Sequence, residues 1–458
     1  MTDSRTPTVL EFEAGPARRG PMTWGQAKLH RELQDHPDDR YLAFLPLDLT
    51  VPQGVTTDEV LGALRTVLTA YESLRTVYPR RGVQSVLGRV RLAAHLLPAE
   101  GPQARARAAR ELCDRFRAAP FETAAELPLR AGIVTEGGRP VRLVLVLSHM
   151  AVDGLALQIV EDHLIALLSG GVHVRRGQEI AAHPVDLALE QHSPAGLRRG
   201  ARALAHWEDV YGRAPAAMLT ARHTVTPDEP RYREGFMISA RLAEAVRVVS
   251  ERTGTGRSTI VLTAFQAVLA ARTGRTRTAV TSISANRSTP RTAAAVTTLA
   301  QDALIVVDCA QAGPFGRLTG LTREESLRAY RYSAVDPAAQ RAARERADAG
   351  RGTPFARDVV YNDMSAYPEA TGPLPPGAGR GELADIRVET AAFMPVHAYL
   401  TVYRLDGTAE ITLWADGRCL GEREVVEWLR ALERVLLAAA TGDVPAVELA
   451  ALAHGGRG

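Results

Sequence analysis

The run VRLVLVL, Val141–Leu147, sets six apolar residues around one arginine. A strand with one wet face alternates apolar and polar residues, so a run this apolar reads as a strand buried on both faces. Such a strand needs packing layers above and below it. A helical pattern, Leu155–Leu168, follows within a few residues, so the run belongs to an α/β fold in which helices cover a sheet.

At 458 residues and 46% hydrophobic content, the chain is long enough for two packed lobes, because single cores stop growing near ~250–300 residues. The first lobe begins with a helix entered through Thr23 in PMTWGQAKLHRELQ and a strand in YLAFLPLDLTV. A helix in VTTDEVLGALRTVLTAYESLRTVYP follows, capped by Thr57 or Asp58, with Val60, Leu61, Leu64, Val67 and Leu68 at helical spacing. A strand region from Val83 to Leu97 and a helix from Ala104 to Arg117 lead to the apolar run. Gly170 and Gly171 break the chain, and GLRRGARALAHWEDVYG reads as a connector helix. A second α/β series then runs from about Arg231. It carries strands in TAVTSISA, ALIVVD and DVVYND, helical sequence between Gly313 and Gly352, a hairpin turning at Asp406 and Gly407, and a last helix from Glu422 to Ala440. PLPPGAGRG is loop sequence, and no fixed-period repeat is visible.

The net charge of +3 combines one lysine, Lys28, with arginines that are interspersed with acids nearly one for one. No basic stripe suited to nucleic acid results. Cys113, Cys309 and Cys419 stand far apart, in neither a zinc-ligand nor a disulfide spacing, and no metal is expected. The N-terminus lacks a signal-peptide pattern and no apolar run reaches the ~18 residues of a membrane span, so a cytoplasmic protein without membrane partners is expected.

The apolar run ends in Ser148, His149, Asp153 and Gly154. Strand ends that hand over to a loop and helix are where open α/β folds place ligands. A histidine there can take a proton from an alcohol or amine near neutral pH, its ordinary pKa being ~6.5. Gly154 lets backbone approach a ligand or adopt positive φ. Taken alone, the spacing fits better a semi-buried structural histidine with Asp153 capping the next helix.

The stretch SHMAVDG does not stand alone. It resembles the HHxxxDG signature of the condensation-domain superfamily of nonribosomal peptide synthesis, whose relatives include chloramphenicol acetyltransferase. TWGQ at Thr23, YESLRTVY at Tyr71, PFETAAELPLRAGIV at Pro120, HWEDVYG at His206, SISANRS at Ser282, VVYNDMS at Val359 and EITLWADGRCLGEREV at Glu410 are similar to further family segments, in the family's order. The resemblance implies an α/β (α+β) fold of two chloramphenicol acetyltransferase-like lobes forming a V with an inter-lobe tunnel. Residues 1–175 would form the N-terminal lobe carrying SHMAVDG, and 176–458 the connector and C-terminal lobe.

It also implies roles. His149 would be the catalytic residue that deprotonates or orients the nucleophile. Asp153 would be structural, paired with Arg75 or Arg287. Gly154 would offer an N–H to the oxyanion. Ser148, where the family's first histidine stands, would hydrogen-bond locally, and no GxSxG elbow makes it a nucleophile. Gln301 and Asp302, in LAQDAL where the family has FVNTL, would position substrate. WADG at Trp414 is only faintly similar to the DFGWG of CoA-dependent members. His397 reads as a core histidine, and GTGRST at Gly254, between two helices, is no phosphate loop.

The implied activity is that of a free-standing condensation enzyme of natural-product (antibiotic) biosynthesis. The donor would be an acyl or aminoacyl group on the phosphopantetheine arm of an acyl or peptidyl carrier protein, with no bound cofactor. The acceptor would be a small-molecule alcohol or amine, giving an ester or amide. A CoA-dependent O- or N-acyltransferase and a non-catalytic recruitment module are the alternatives. Acyl group, acceptor and oligomeric state are not legible in the chain.

Overall fold

A computed structural model of the chain describes residues 7–37, 39–170, 182–311, 313–366, 374 and 377–455. The chain divides into two units, Met1–Gly200 with Ala285–Ala300, and Ala201–Ser284 with Gln301–Gly458. The lobe boundary expected at residue 175, Gly171 and part of PLPPGAGRG lie outside the described residues.

The first unit runs β1 (Thr8–Glu13), β2 (Arg18–Pro21), α1 (Trp24–Asp35), α2 (Arg40–Ala43), β3 (Phe44–Thr50), α3 (Thr57–Ala70), β4 (Thr76–Arg80), β5 (Val83–Val86), β6 (Arg89–Pro98) and α4 (Pro102–Arg117). It continues through β7 (Leu129–Glu136), β8 (Arg139–Ser148), α5 (Gly154–Leu168), α6 (Pro184–His192) and the start of α7 (Pro194–Arg213). Its main sheet has the order β1-β6-β7-β8-β3, and β2, β5 and β4 form a smaller one. β8 pairs antiparallel with both β7 and β3, and its side chains enter two cores. Leu143, Leu145 and Leu147 pack with Leu64 and Leu68 of α3 and with Val160 and Leu164 of α5. Val144 and Val146 pack on the other face, with Leu112 and Phe116 of α4. The apolar run is thus a strand buried from both sides, as the sequence requires.

Two local readings need correction. The cap of α3 is Thr56 rather than Thr57 or Asp58: its hydroxyl accepts from Glu59 N, and Glu59 Oε2 accepts in return from Thr56 N at 2.7 Å. Of the three residues, only Thr56 has a glutamate three positions on, which the reciprocal box requires. Residues 41–43 are helical, so the strand starts at Phe44, and Asp39 caps that short turn by accepting from Leu42 N at 2.9 Å.

The second unit takes up α7 and continues through β9 (Tyr232–Ser239), α8 (Ala240–Thr253), α9 (Arg257–Thr273) and β10 (Arg277–Ser284). The β10–β11 connection, with α10 (Pro290–Ala293), belongs to the first unit. β11 (Gln301–Asp308), α11 (Phe315–Arg331), α12 (Pro337–Arg351), β12 (Val359–Asp363), β13 (Asp385–Thr390), β14 (Ala398–Arg404), β15 (Ala409–Asp416), α13 (Glu422–Thr441) and α14 (Ala446–His454) complete it. Its mixed sheet has the order β11-β10-β12-β14-β15-β9-β13. One core joins that sheet to α8, α9 and α13. The hairpin turn falls at Asp406 and Gly407, Gly407 taking φ 66°. β13 and α14 have no counterpart in the sequence reading.

Candidate active site

β8 ends at Ser148, whose amide donates to Pro128 O at 2.9 Å. The chain then turns tightly: His149 N donates to Ala43 O (3.2 Å) and Ala151 N to Ser148 O (2.9 Å). Ser148 is buried, and its hydroxyl oxygen accepts from Met150 N at 3.3 Å, a local bond. Two side chains hold the turn from outside. Tyr78 Oη donates to Met150 O at 2.8 Å, and Thr298 Oγ1 donates to His149 O.

Asp153 caps α5, Oδ1 accepting from Ala156 N at 3.0 Å. The same oxygen accepts from Arg287 Nη2 at 2.8 Å, and Oδ2 accepts from Leu299 N at 3.0 Å. Arg287 donates further to the carbonyls of Thr292 (2.8 Å), Ala295 (2.6 Å) and Thr297 (2.9 Å). Both terminal nitrogens of Arg287 are bonded, while its buried Nε has no partner, and this many directed bonds fix the geometry of the pair as well as its charge. Arg75, the other candidate partner, is buried elsewhere: it donates to Leu87 O at 2.7 Å, beside Glu72 and Arg18. Gly154 is the first residue of α5 and is not among the glycines of positive φ, so its amide is one of the helix-start donors without an intrahelical acceptor.

The residues of TWGQ grip the segment 297–299. Thr23 caps α1 and donates to Thr298 O at 3.2 Å. At Gly25 a Cβ would stand 2.7 Å from Thr298 O and 2.9 Å from Leu299 Cα, so any larger residue would push this segment away. Gln26, fully buried, offers its amide nitrogen to Tyr78 Oη (3.1 Å), Gln84 Oε1 (3.3 Å) and Thr297 Oγ1 (3.2 Å). Thr297, Thr298 and Tyr78 were not singled out by the sequence. The Thr23–Gln26 spacing of a capping box, not read from the sequence, is a local signal that could have pointed to this network.

His149 is partly exposed, but its Nδ1 is buried and bonds to no other residue. Its own backbone carbonyl favours the charged imidazole, although no hydrogen bond joins the two. Burial dominates and pushes its pKa below the ordinary value, with Asp153 opposing. The ring is therefore neutral at neutral pH and able to accept a proton.

The profile of the condensation domain matches residues 34–362. The chain belongs to the condensation-domain family. Among curated proteins this condensation domain is 29% identical over 310 residues to a probable non-canonical nonribosomal peptide synthetase, CymA, of Salinispora arenicola (strain CNS-205), covering 63% of this chain and 4% of that protein. It spans 23% or less of each curated relative that it matches. Among solved structures it shares the fold of the condensation domain from the Monacolin K polyketide synthase MokA, with TM-score 0.71 and 16% identity over 96% of this chain and 100% of that one. It likewise shares the fold of SgcC5 from Streptomyces globisporus, with TM-score 0.66 and 17% identity over 93% and 100% of the two chains. Condensation domains form amide or ester bonds and work with carrier-protein domains in nonribosomal peptide synthetases.

Gln301 and Asp302 of this condensation domain lie in the second unit, whereas Leu299 and Ala300 close the first. Both have protein partners: Gln301 Nε2 donates to Val335 O at 2.8 Å, and Asp302 forms a bidentate pair with Arg357 at 2.7 and 3.1 Å. In WADG, Trp414 stacks on Tyr232 with centroids 5.4 Å apart and donates to Ala392 O at 2.9 Å, while Asp416 binds Arg231 and Arg418 at 2.9 and 2.8 Å. Its residues are used in packing and pairing. His397 Nδ1 lies 4.0 Å from Asp358, which accepts from the amides of Met218 and Leu219. Gly254 ends α8 in the left-handed conformation, a helix stop. Among the described residues no helix is long and apolar enough to cross a membrane.

Proposed function

We propose that this condensation domain joins an acyl or aminoacyl group, delivered as a carrier-protein thioester on a phosphopantetheine arm, to a small-molecule alcohol or amine, giving an ester or amide in natural-product assembly. The observation that carries the reading is His149: a neutral imidazole at the end of β8, on a backbone held by Thr298 and Tyr78 beside the Asp153–Arg287 pair.

In this mechanism His149 accepts the proton of the hydroxyl or amine as its oxygen or nitrogen bonds to the thioester carbon. The Gly154 amide at the start of α5 is assigned to the developing oxyanion. The tetrahedral intermediate then collapses, the carbon–sulfur bond breaks, and the imidazolium returns its proton to the departing thiolate. Asp153 and Arg287 hold the loop and take no proton.

The test presents one acyl group both on a discrete carrier protein and as its CoA thioester, with candidate alcohols and amines, and detects product by mass spectrometry. Product formed from the carrier thioester by the native protein and lost in His149→Ala supports the reading. Equal turnover from CoA would overturn the carrier donor, and undiminished product from His149→Ala would overturn the role of the imidazole.

A further inference from the structure

We propose that Asn286 is a positioning residue for the start of α5: its left-handed backbone directs Arg287 to Asp153, and its side-chain amide holds Leu299, the other residue that donates to that carboxylate from outside the helix. The inference rests on the reading that assigns the Gly154 amide to the oxyanion.

Among the described residues Asn286 alone, glycines apart, has a positive φ, 54°. Most side chains avoid that conformation because Cβ crowds the backbone, and asparagine is one of the few that tolerate it. Asn286 stands two residues beyond the end of β10 and immediately before Arg287, so its backbone sets the direction in which Arg287 leaves the strand. A residue held in a sparsely populated conformation needs surroundings that keep it there. Its own side chain contributes one such contact, Asn286 Nδ2 donating to Leu299 O at 3.0 Å.

Both links end on Asp153, and all four residues belong to the first unit. Arg287 Nη2 donates to Oδ1 at 2.8 Å, and Leu299 N donates to Oδ2 at 3.0 Å. Leu299 is thus held at both polar atoms of its backbone, the N–H by Asp153 and the carbonyl by Asn286. Each carboxylate oxygen therefore receives a donor that Asn286 places. Asp153 in turn caps α5, and the peptide that joins it to Gly154 carries the amide assigned to the oxyanion. Rotation of Asp153 would tilt that amide, and an oxyanion donor acts only within a narrow range of position.

The residue type follows from the two demands. Glycine would accept the backbone conformation and donate nothing. Aspartate tolerates the conformation as well, but would set an oxygen against the Leu299 carbonyl. Alanine meets neither demand, and asparagine meets both.

The experiment compares Asn286→Gly, Asn286→Asp and Asn286→Ala with native protein in two measurements. Amide hydrogen exchange is read at the start of α5, at residues 297–299, and in β6 and β7 as an internal control for global unfolding. Turnover is read as kcat and KM with the carrier thioester and acceptor of the preceding test. In Asn286→Asp, exchange at the first two places is expected to rise roughly five- to tenfold, the size of one hydrogen bond, with β6 and β7 unchanged. There kcat should fall by about the same factor or more, at unchanged KM. Asn286→Ala should behave similarly, and Asn286→Gly should show the smallest change in both measurements. Native exchange in Asn286→Asp, or a rise spread equally over β6 and β7, overturns the proposal. So does faster exchange with native kcat, or an Asn286→Gly protein as impaired as Asn286→Ala. Exchange needs no turnover: a native protein without activity would sink the functional reading, while the exchange result still decides whether Asn286 holds the start of α5.

Discussion

Arg287 Nη2 stands 2.8 Å from Asp153 Oδ1, and the two side chains are 4% and 5% exposed. Breaking a buried pair leaves one charge without compensation in low dielectric. Arg287→Leu also strips the carbonyls of Thr292, Ala295 and Thr297 of a donor. Arg287→Leu and Asp153→Asn are each expected to lower unfolding free energy by about 3–5 kcal/mol in urea titrations. A loss below about 1 kcal/mol would mean that the pair does not hold the loop.

His149→Ala is expected to reduce kcat by about 10²–10⁴-fold, the usual worth of a positioned base, with the thermal midpoint unchanged. The pH profile follows from burial. A base works in its neutral form, so turnover is full above the pKa of His149 and is lost as pH falls through it. Burial lowers that pKa, which puts the acid limb of kcat/KM below the ordinary ~6.5. An acid limb above that value would contradict the assignment.

Gly25→Ala should act at a distance from the imidazole. The new methyl would meet Thr298 O at 2.7 Å and displace the segment that bonds to both His149 and Asp153. Misplacement of about 1 Å can cost on the order of 10²-fold in rate. A kcat within about twofold of native would show that the close approach of α1 is not required.

Asp416 tests the acid side of stability. Burial pushes its carboxyl up, but Arg418 and Arg231 prevail and hold it at about 2. Its contribution is whole above the unfolded value of ~3.9 and is lost as pH falls towards the folded one. The stability gap between native protein and Asp416→Asn should therefore narrow between about pH 4 and pH 2 in urea unfolding. A gap independent of pH over that window would exclude an ionised Asp416 as its source.

Much of the fold was legible because it follows from local periodicity. The apolar run became β8, Asp153 became the cap of α5, and Asp406 with Gly407 became the hairpin turn. β13, DIRVET, alternates Ile386 and Val388 with charged residues as a strand does, but over only six residues, and among the described residues it pairs with β9 alone at the sheet edge, so this short signal went unread. α14 is short and follows α13 closely, so no long period marks it. At the site, sequence pointed to His149 and Asp153, and narrowed the partner of Asp153 to Arg75 or Arg287.

By itself the sequence determined a doubly buried strand ending in an imidazole and a helix cap, because side-chain hydrophobicity and capping chemistry act over a few residues. Only the tertiary structure decided that Arg287 rather than Arg75 meets Asp153, and that Thr298, 149 residues away, bonds to the carbonyl of His149. Hydrogen bonds act over about 3 Å and depend on direction, and sequence separation carries no information about which distant groups the packed chain brings within that reach.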